Sequence, residues 1–302
     1  MATKVLITGG AGFIGSHLVQ EYLESGFEVL VVDLQAKPKL FDKLPINYYQ
    51  QDITQVGLED IIAKEKPELI NHHASLINVS ESFVKPVTYT TTNVLATIKL
   101  LELAKKYQAK QFIFASSAAV YGNATQFPIK ETDKTSPESF YGLDKLLAEW
   151  YISIYSQFFT TTIFRYANVY GPRQTSNAEG GVVAIFCQKL AEGKRPTIFG
   201  SGNQTRDFVY VKDVALANIA ASKLNKNLIL HVSTGTQISV NELYKSISKI
   251  YNIDNKAIYQ KARDGDIYDS VMSNERIKKV LSWVPKYSLN IGLTETAAYF
   301  KT

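Results

Sequence analysis

Apolar and polar positions alternate along the first half of the chain in a regular order. Short apolar runs at Lys4–Ile7, Glu28–Val32, Asn47–Gln50, Leu69–Asn71, Gln111–Ala115 and Thr161–Phe164 read as strands. Between them lie stretches with helical spacing: Ser16–Leu23, Gly57–Lys64, Thr91–Lys106 and Tyr141–Phe158. This alternation predicts a doubly wound parallel sheet with helices on both faces, an α/β domain of Rossmann type. Beyond Tyr170-Gly-Pro172 the rhythm breaks into loops rich in Gly, Asn and Ser, while Val214–Lys223 and Ile229–Val232 read as a helix and strand returning to the sheet. The expected division is therefore 1–171 with 207–236 for the sheet domain, and 172–206 with 237–302 for a smaller mixed α/β substrate-binding lobe at the sheet's C-terminal edge.

The first strand runs into Thr8-Gly-Gly-Ala-Gly-Phe-Ile-Gly15 and then into a helix. Gly9 permits the tight turn, Gly12 lets the backbone approach a pyrophosphate, and Gly15 lets helix and strand pack closely. The free N–H groups of the helix N-terminus then face the phosphates. An acidic residue at the end of the second strand, Asp33, suits the two ribose hydroxyls, and no arginine follows in Leu34-Gln-Ala36 to hold a 2′-phosphate. The expected cofactor is NAD.

Length and composition are consistent with this. The 302 residues can hold a large core, and 45% hydrophobic with 20% charged residues is ordinary for a soluble globule. The net charge of +5 comes from scattered Lys and Arg rather than a stripe, so no nucleic-acid partner is expected. No apolar stretch approaches the ~20 residues of a membrane span, and none is expected to act at a membrane. The lone Cys187 lies in the apolar Val182-Val-Ala-Ile-Phe-Cys187, where a small buried hydrophobe is expected, and a single cysteine asks for no oxidising compartment. A cytoplasmic enzyme is expected. Adjacent His72 and His73 point to opposite sides of a strand, so no metal site is expected there.

Tyr141-Gly-Leu-Asp-Lys145 places a phenol and an ammonium one helical turn apart. A free tyrosine ionises near pH 10, so a useful base near neutrality needs about 4 kcal/mol of help, which an adjacent lysine and a bound nicotinamide cation are expected to share. Ala115-Ser-Ser-Ala-Ala-Val-Tyr-Gly122 follows a strand at the sheet end that presents ligand-contacting residues.

With these motifs in place, the chain resembles the extended short-chain dehydrogenase/reductase family, and within it the nucleotide-sugar 4-epimerases acting on UDP-hexoses. The resemblance implies that Tyr141 is the catalytic base and acid, that Lys145 tunes it and binds the nicotinamide ribose, and that Ser117 hydrogen-bonds the sugar. It implies NAD contacts at Phe13, Ile14, Asp33, Asp52, Ile53, Ala74, Ser75, Asn93, Ser116 and Tyr166. By the residues alone, Asp52 otherwise reads as a helix cap. The resemblance further places Asn168, Arg206 and Arg263 on the diphosphate, Asp266 on the uridine ribose and Phe199 at the base. Arginine's planar fork of donors suits phosphate.

Relatives that dehydrate or decarboxylate carry an acid in the serine/threonine segment, where this chain has Ala118 and Ala119. The resemblance therefore implies NAD-dependent 4-epimerisation, in which Tyr141 takes the 4-hydroxyl proton, NAD takes the C4 hydride, and the 4-keto sugar turns over before reduction. Ser270 stands where many relatives have a bulky tyrosine, which admits UDP-GlcNAc and UDP-GalNAc beside UDP-glucose and UDP-galactose. An enzyme for GDP- or dTDP-sugars, or a non-catalytic NAD-binding regulator, are the alternative readings. Apolar stripes at Leu143, Leu146, Leu147, Trp150, Ile154, Phe158 and at Leu95, Ile98, Leu101, Ala104 suit either a homodimer face or packing on the sheet.

Overall fold

The computed structural model describes residues 2–176, 181–254, 256–262 and 267–301. Its central element is a seven-stranded sheet built from β1 (Lys4–Thr8), β2 (Glu28–Asp33), β3 (Ile46–Gln50), β4 (Leu69–His72), β5 (Gln111–Ser117), β6 (Thr160–Tyr166) and the strand Leu228–Val232. The order is Leu228–Val232, β6, β5, β4, β1, β2, β3, and the pairings from β3 to β5 are parallel. The strand order reverses between β1 and β4, the crevice where open sheets of this type bind ligands.

Strands β1 and β2 are nearly continuous apolar runs, and all four residues of β4 are buried, because both faces of these strands are covered. Six helices lead up to and follow the strands: α1 (Phe13–Glu24), α2 (Gly57–Glu65), α3 (Val79–Val84), α4 (Pro86–Thr90), α5 (Ala96–Lys106) and α6 (Phe140–Tyr155). On one face Leu6, Leu30, Ile70, Phe112 and Phe114 meet Leu58, Ile62, Leu100 and Ile152 from α2, α5 and α6. Fully burying each such side chain contributes about 1.5–3 kcal/mol. A polar tie runs on the sheet's other face, since buried Asn71 of β4 donates to the Tyr22 hydroxyl of α1 at 2.9 Å and to Asn218 Oδ1 at 3.0 Å.

The chain packs as two compact units. One comprises Met1–Gly122, Lys134–Arg165 and Ala215–Leu230; the other comprises Asn123–Asp133, Tyr166–Val214 and His231–Thr302. Residues 123–133, 166–171, 207–214 and 231–236, grouped with the sheet domain by sequence, thus pack within the second unit. Backbone bonds involve three of these segments: Ile129 N–H donates to the Val271 carbonyl at 2.9 Å, and Asn168–Tyr170 pairs with Phe208–Tyr210. The second unit is otherwise built of short strand pairs, Thr205–Arg206 with Ile238–Ser239 and Thr197–Phe199 with Ile258–Gln260. Three helices, Val182–Ala191, Val240–Tyr251 and Leu289–Phe300, pack on one another within it. Cys187 is buried there, and burial pushes its thiol up to about 12, the behaviour of a small core residue. Among the described residues no helix is long and apolar enough to cross a membrane.

The expected stripes on α5 and α6 divide. Leu101, Ala104 and Leu146 are buried, whereas Leu95, Leu143, Trp150, Ile154 and Phe158 are exposed, Trp150 by 57% and Ile154 by 63%.

Candidate active site

The glycine turn leaves β1 at Thr8 and enters α1 at Phe13, with Gly9 at φ +71° and Gly12 as N-cap. Gly15 faces the turn so closely that a Cβ there would lie 2.0 Å from the Gly9 carbonyl oxygen. The first turn of α1, with Phe13, Ile14 and Gly15, carries no acidic residue and its cap has no side-chain hydrogen bond, which leaves its N–H dipole for an anion. Asp33 closes β2; its Oδ2 accepts from Ala11 N–H and its Oδ1 from Gln35 N–H, both at 2.9 Å. Those two bonds brace the carboxylate against the glycine turn and use half of its acceptor capacity, leaving room for ribose hydroxyls. A close backbone cradle, an open helix N-terminus and a braced carboxylate together fit a dinucleotide.

The neighbouring loop after β4 is tied to the same turn. Thr8 Oγ1 bonds His72 Nδ1 at 2.6 Å and accepts from the N–H groups of His73 and Ala74, each at 3.2 Å. His72 Nε2 bonds Thr97 Oγ1 at 2.9 Å, and burial lowers its pKa to about 3, so the ring is neutral. The histidines thus brace the loop, and among the described residues no group of three or more His, Cys, Asp or Glu is arranged to hold a metal ion. Ser75 donates to Asn93 Oδ1 at 2.9 Å, and Asn93 also accepts from Leu76 N–H and donates to the Leu76 carbonyl. Asn93 sits in a π-helical turn, Thr91–Leu95, that precedes α5. On the β3 side, Asp52 Oδ1 accepts from the N–H and hydroxyl of Thr54, both at 2.8 Å, capping a turn ahead of α2 rather than α2 itself. Ile53 is buried in the sheet core.

The chemistry-bearing residues gather at the end of β5. Ser117 caps the turn 118–121 by accepting from Ala119 N–H at 3.1 Å. Ser139 caps α6 by accepting from Gly142 N–H at 3.0 Å, and a Cβ on Gly142 would lie 2.6 Å from the Ala119 carbonyl oxygen. Only glycine lets the first turn of α6 approach so near, and this brings Tyr141 onto Ser117. Burial raises the Tyr141 phenol above its usual value, and a hydrogen bond from Ser117 pulls it back.

Lys145, one turn on, donates to the Ala115 carbonyl at 2.8 Å and lies 5.9 Å from the Tyr141 ring centre. Burial lowers its pKa to about 7, with Asp144 and Glu149 acting in the opposite direction. Ser116 donates to buried Glu149, which sequence reading did not single out.

In the second unit, strand Thr205–Arg206 organises the expected substrate residues. Arg206 Nη1 donates to the carbonyls of Thr205 and Tyr268 at 2.8 and 3.1 Å, and Ser270 N–H donates to the Thr205 carbonyl at 3.2 Å. Asn168 N–H donates to the Asp207 carbonyl at 2.9 Å, and Gln204 bonds the Phe199 carbonyl at 2.7 Å. Arg206, Ser270, Asn168 and Phe199 are therefore all tied to the one segment 204–207. Tyr166 ends β6 and is buried. Arg263 and Asp266 lie outside the described residues. Asp207, also unsignalled by sequence, is a buried carboxylate that accepts from Thr234 N–H, the Thr234 hydroxyl and Gly235 N–H at 2.7–3.0 Å.

The model of the NAD-dependent epimerase/dehydratase family matches residues 5–231. The chain belongs to this family. It is 33% identical over 310 residues to a UDP-glucose 4-epimerase of Mycolicibacterium smegmatis, covering 99% of this chain and 98% of that one. Its fold matches the crystal structure of the Thermotoga maritima UDP-glucose 4-epimerase with UDP-glucose at TM-score 0.95 and 38% identity, covering 99% and 98% of the two chains. The Methanobrevibacter ruminantium UDP-N-acetylglucosamine 4-epimerase, solved with UDP-N-acetylmuramic acid, matches at TM-score 0.93 and 32% identity, covering 99% and 98%. Within the family, its relatives make it an NAD-dependent epimerase.

Proposed function

We propose that this epimerase inverts C4 of UDP-hexoses, with Tyr141, Lys145 and Ser117 as its catalytic residues. The observation that carries the reading is the end of β5: a phenol bonded to Ser117, an ammonium beside it, and Ala118 and Ala119 where further acid–base chemistry would need a carboxyl group. NAD, when bound, supplies the two-electron acceptor at C4 and returns what it takes. Tyr141 Oη moves the proton of the sugar 4-hydroxyl in each direction, Ser117 orients that hydroxyl, and the Lys145 ammonium stabilises the phenolate. Gly9, Gly12, Phe13, Ile14, Gly15, Asp33, Ala74, Ser75, Asn93 and Ser116 are the proposed cofactor contacts in the first unit. In the second, Asn168 and Arg206 are proposed for the diphosphate and Phe199 for the base.

The small Ser270 supports acceptance of N-acetylated sugars as well as plain hexoses, in keeping with relatives named for each kind of substrate. We also propose a homodimer through the exposed face of α6, because soluble monomers rarely leave a row of residues such as Leu143, Trp150 and Ile154 in water along one helix.

The deciding experiment incubates the purified protein, without added reductant, with UDP-glucose and with UDP-GlcNAc and separates the products by chromatography. UDP-galactose and UDP-GalNAc are expected. No conversion of either sugar would overturn the UDP-hexose reading and direct the search to GDP- and dTDP-sugars.

A further inference from the structure

Tyr141, Lys145 and Glu149 follow one another at intervals of four along α6, which sets them on one helical face. Each meets a different one of three consecutive residues at the end of β5. Tyr141 lies near Ser117, which favours its ionised form, Lys145 donates to the Ala115 carbonyl, and Glu149 accepts from the Ser116 hydroxyl. Glu149 is in turn gripped by Arg165 of β6, whose Nη2 reaches Oε2 at 2.6 Å and whose Nε lies 3.0 Å from Oε1. Arg165 Nη1 also donates to the Tyr121 hydroxyl at 2.5 Å, with the guanidinium 4.9 Å from that ring's centre. Tyr121 closes the turn that Ser117 opens, so the path returns to the strand end where it began.

Every member of this loop behind Ser117 is buried: Ser116 at 3%, Glu149 at 2%, Arg165 at 4% and Tyr121 at 2% exposure. An ion pair so deeply buried is a poor source of stability, since well-packed apolar residues of the same volume often do as well or better. Its geometry has a use, however, at the site it backs.

We propose that Glu149, held by Arg165, is a positioning residue for catalysis: it fixes Ser116 and Ser117 at the end of β5 and, one helical turn beyond Lys145, adds to the buried negative charge that Asp144 already places near that ammonium. The inference rests on the roles proposed above for Tyr141, Lys145 and Ser117. The other ionisable groups around Lys145 are accounted for. Asp144 on α6 accepts from Thr90 of α4 at 2.9 Å. His72 and His73 at the end of β4 are held neutral by burial. Tyr141 precedes the lysine by a turn, and Arg165 and Tyr121 lie behind Glu149.

The test compares Glu149→Gln, Glu149→Asp, the double variant Glu149→Gln/Arg165→Met, and Tyr141→Phe with the wild type, reading kcat, KM, pH profiles and folded fraction by circular dichroism. Glu149→Gln is expected to lower kcat roughly 10–100-fold with KM nearly unchanged, as misplacement of catalytic groups does. The falling, alkaline limb of its kcat/KM profile should move to lower pH, because Lys145 loses a carboxylate that favours its charged form. Glu149→Asp keeps the charge and should leave that limb in place while kcat drops. The double variant should regain thermal stability relative to Glu149→Gln without regaining kcat. Wild-type kcat and pH profile in a folded double variant would overturn the proposal, as would losses of kcat that merely track the folded fraction. Wild-type activity in Tyr141→Phe would instead bring down the underlying active-site reading, and the inference with it.

Discussion

The end of β5 and the strand Thr205–Arg206 solve different problems with different materials. At β5 the polar side chains answer one another, half-buried Ser117 beside half-buried Tyr141, and behind them the fully buried Ser116 with Glu149 and Glu149 with Arg165. At Thr205–Arg206 the residues are half-buried, and backbone carbonyls hold them, with Arg206 on those of Thr205 and Tyr268. Proton transfer needs groups whose charge preferences are set by their surroundings, and burial does this: it moves Lys145 to about 7 and raises Tyr141. The diphosphate recognition proposed for Arg206 needs a charge that is always present, which arginine supplies without tuning. Substitutions in the first region should therefore act on kcat and its pH dependence, and those in the second on KM and substrate choice.

Tyr141→Phe gives the sharpest contrast. It removes one oxygen from a site whose packing is otherwise unchanged, and turnover is expected to fall by about 10²–10⁴-fold, measured by product chromatography, with the melting temperature little altered. A milder loss would mean that the β5 end does not carry the proton.

The second prediction concerns pH. Because the Lys145 ammonium is favoured below its pKa of about 7 and lost above it, kcat/KM of the free enzyme should fall as pH rises through that region. The opposite slope would show that a neutral amine is the working form. Arg206→Ala should raise KM for UDP-glucose about tenfold, near the loss of one charge-assisted hydrogen bond, and leave kcat nearly intact. Ser270→Tyr is expected to have the narrowest effect. It should suppress conversion of UDP-GlcNAc by about tenfold, the scale of a pocket contact, with UDP-glucose barely changed. If both sugars suffered equally, residue 270 would not read the acetamido group.

The same contrast separates what was legible in the sequence from what was not. The glycine turn, the acidic end of β2 and the Tyr141–Lys145 spacing are local patterns, and the parallel sheet follows from alternating runs that survive any detail of packing. Glu149 carries a local signal too, being four residues beyond Lys145, but its meaning depends on Arg165, which arrives on another strand. The helix expected over Thr91–Lys106 begins instead with the π-helical turn Thr91–Leu95, because its widened bonding follows from Asn93's ties to Ser75 and Leu76 rather than from residue propensity. Segment 123–133 could not be assigned by composition, since it is held by backbone bonds to residues 271–273 far along the chain.

Helix α6 has two working sides. Inward it carries Tyr141, Lys145 and Glu149; outward, on the same rigid rod of about 24 Å, it carries Trp150, Tyr151 and Ile154. If the homodimer proposed above seats the outer side, it also seats the proposed proton-transfer group, and the enzyme's specific activity then becomes a function of its own concentration. Dilution should then slow each remaining molecule, and an assay run at a single enzyme concentration would record association and chemistry as one number.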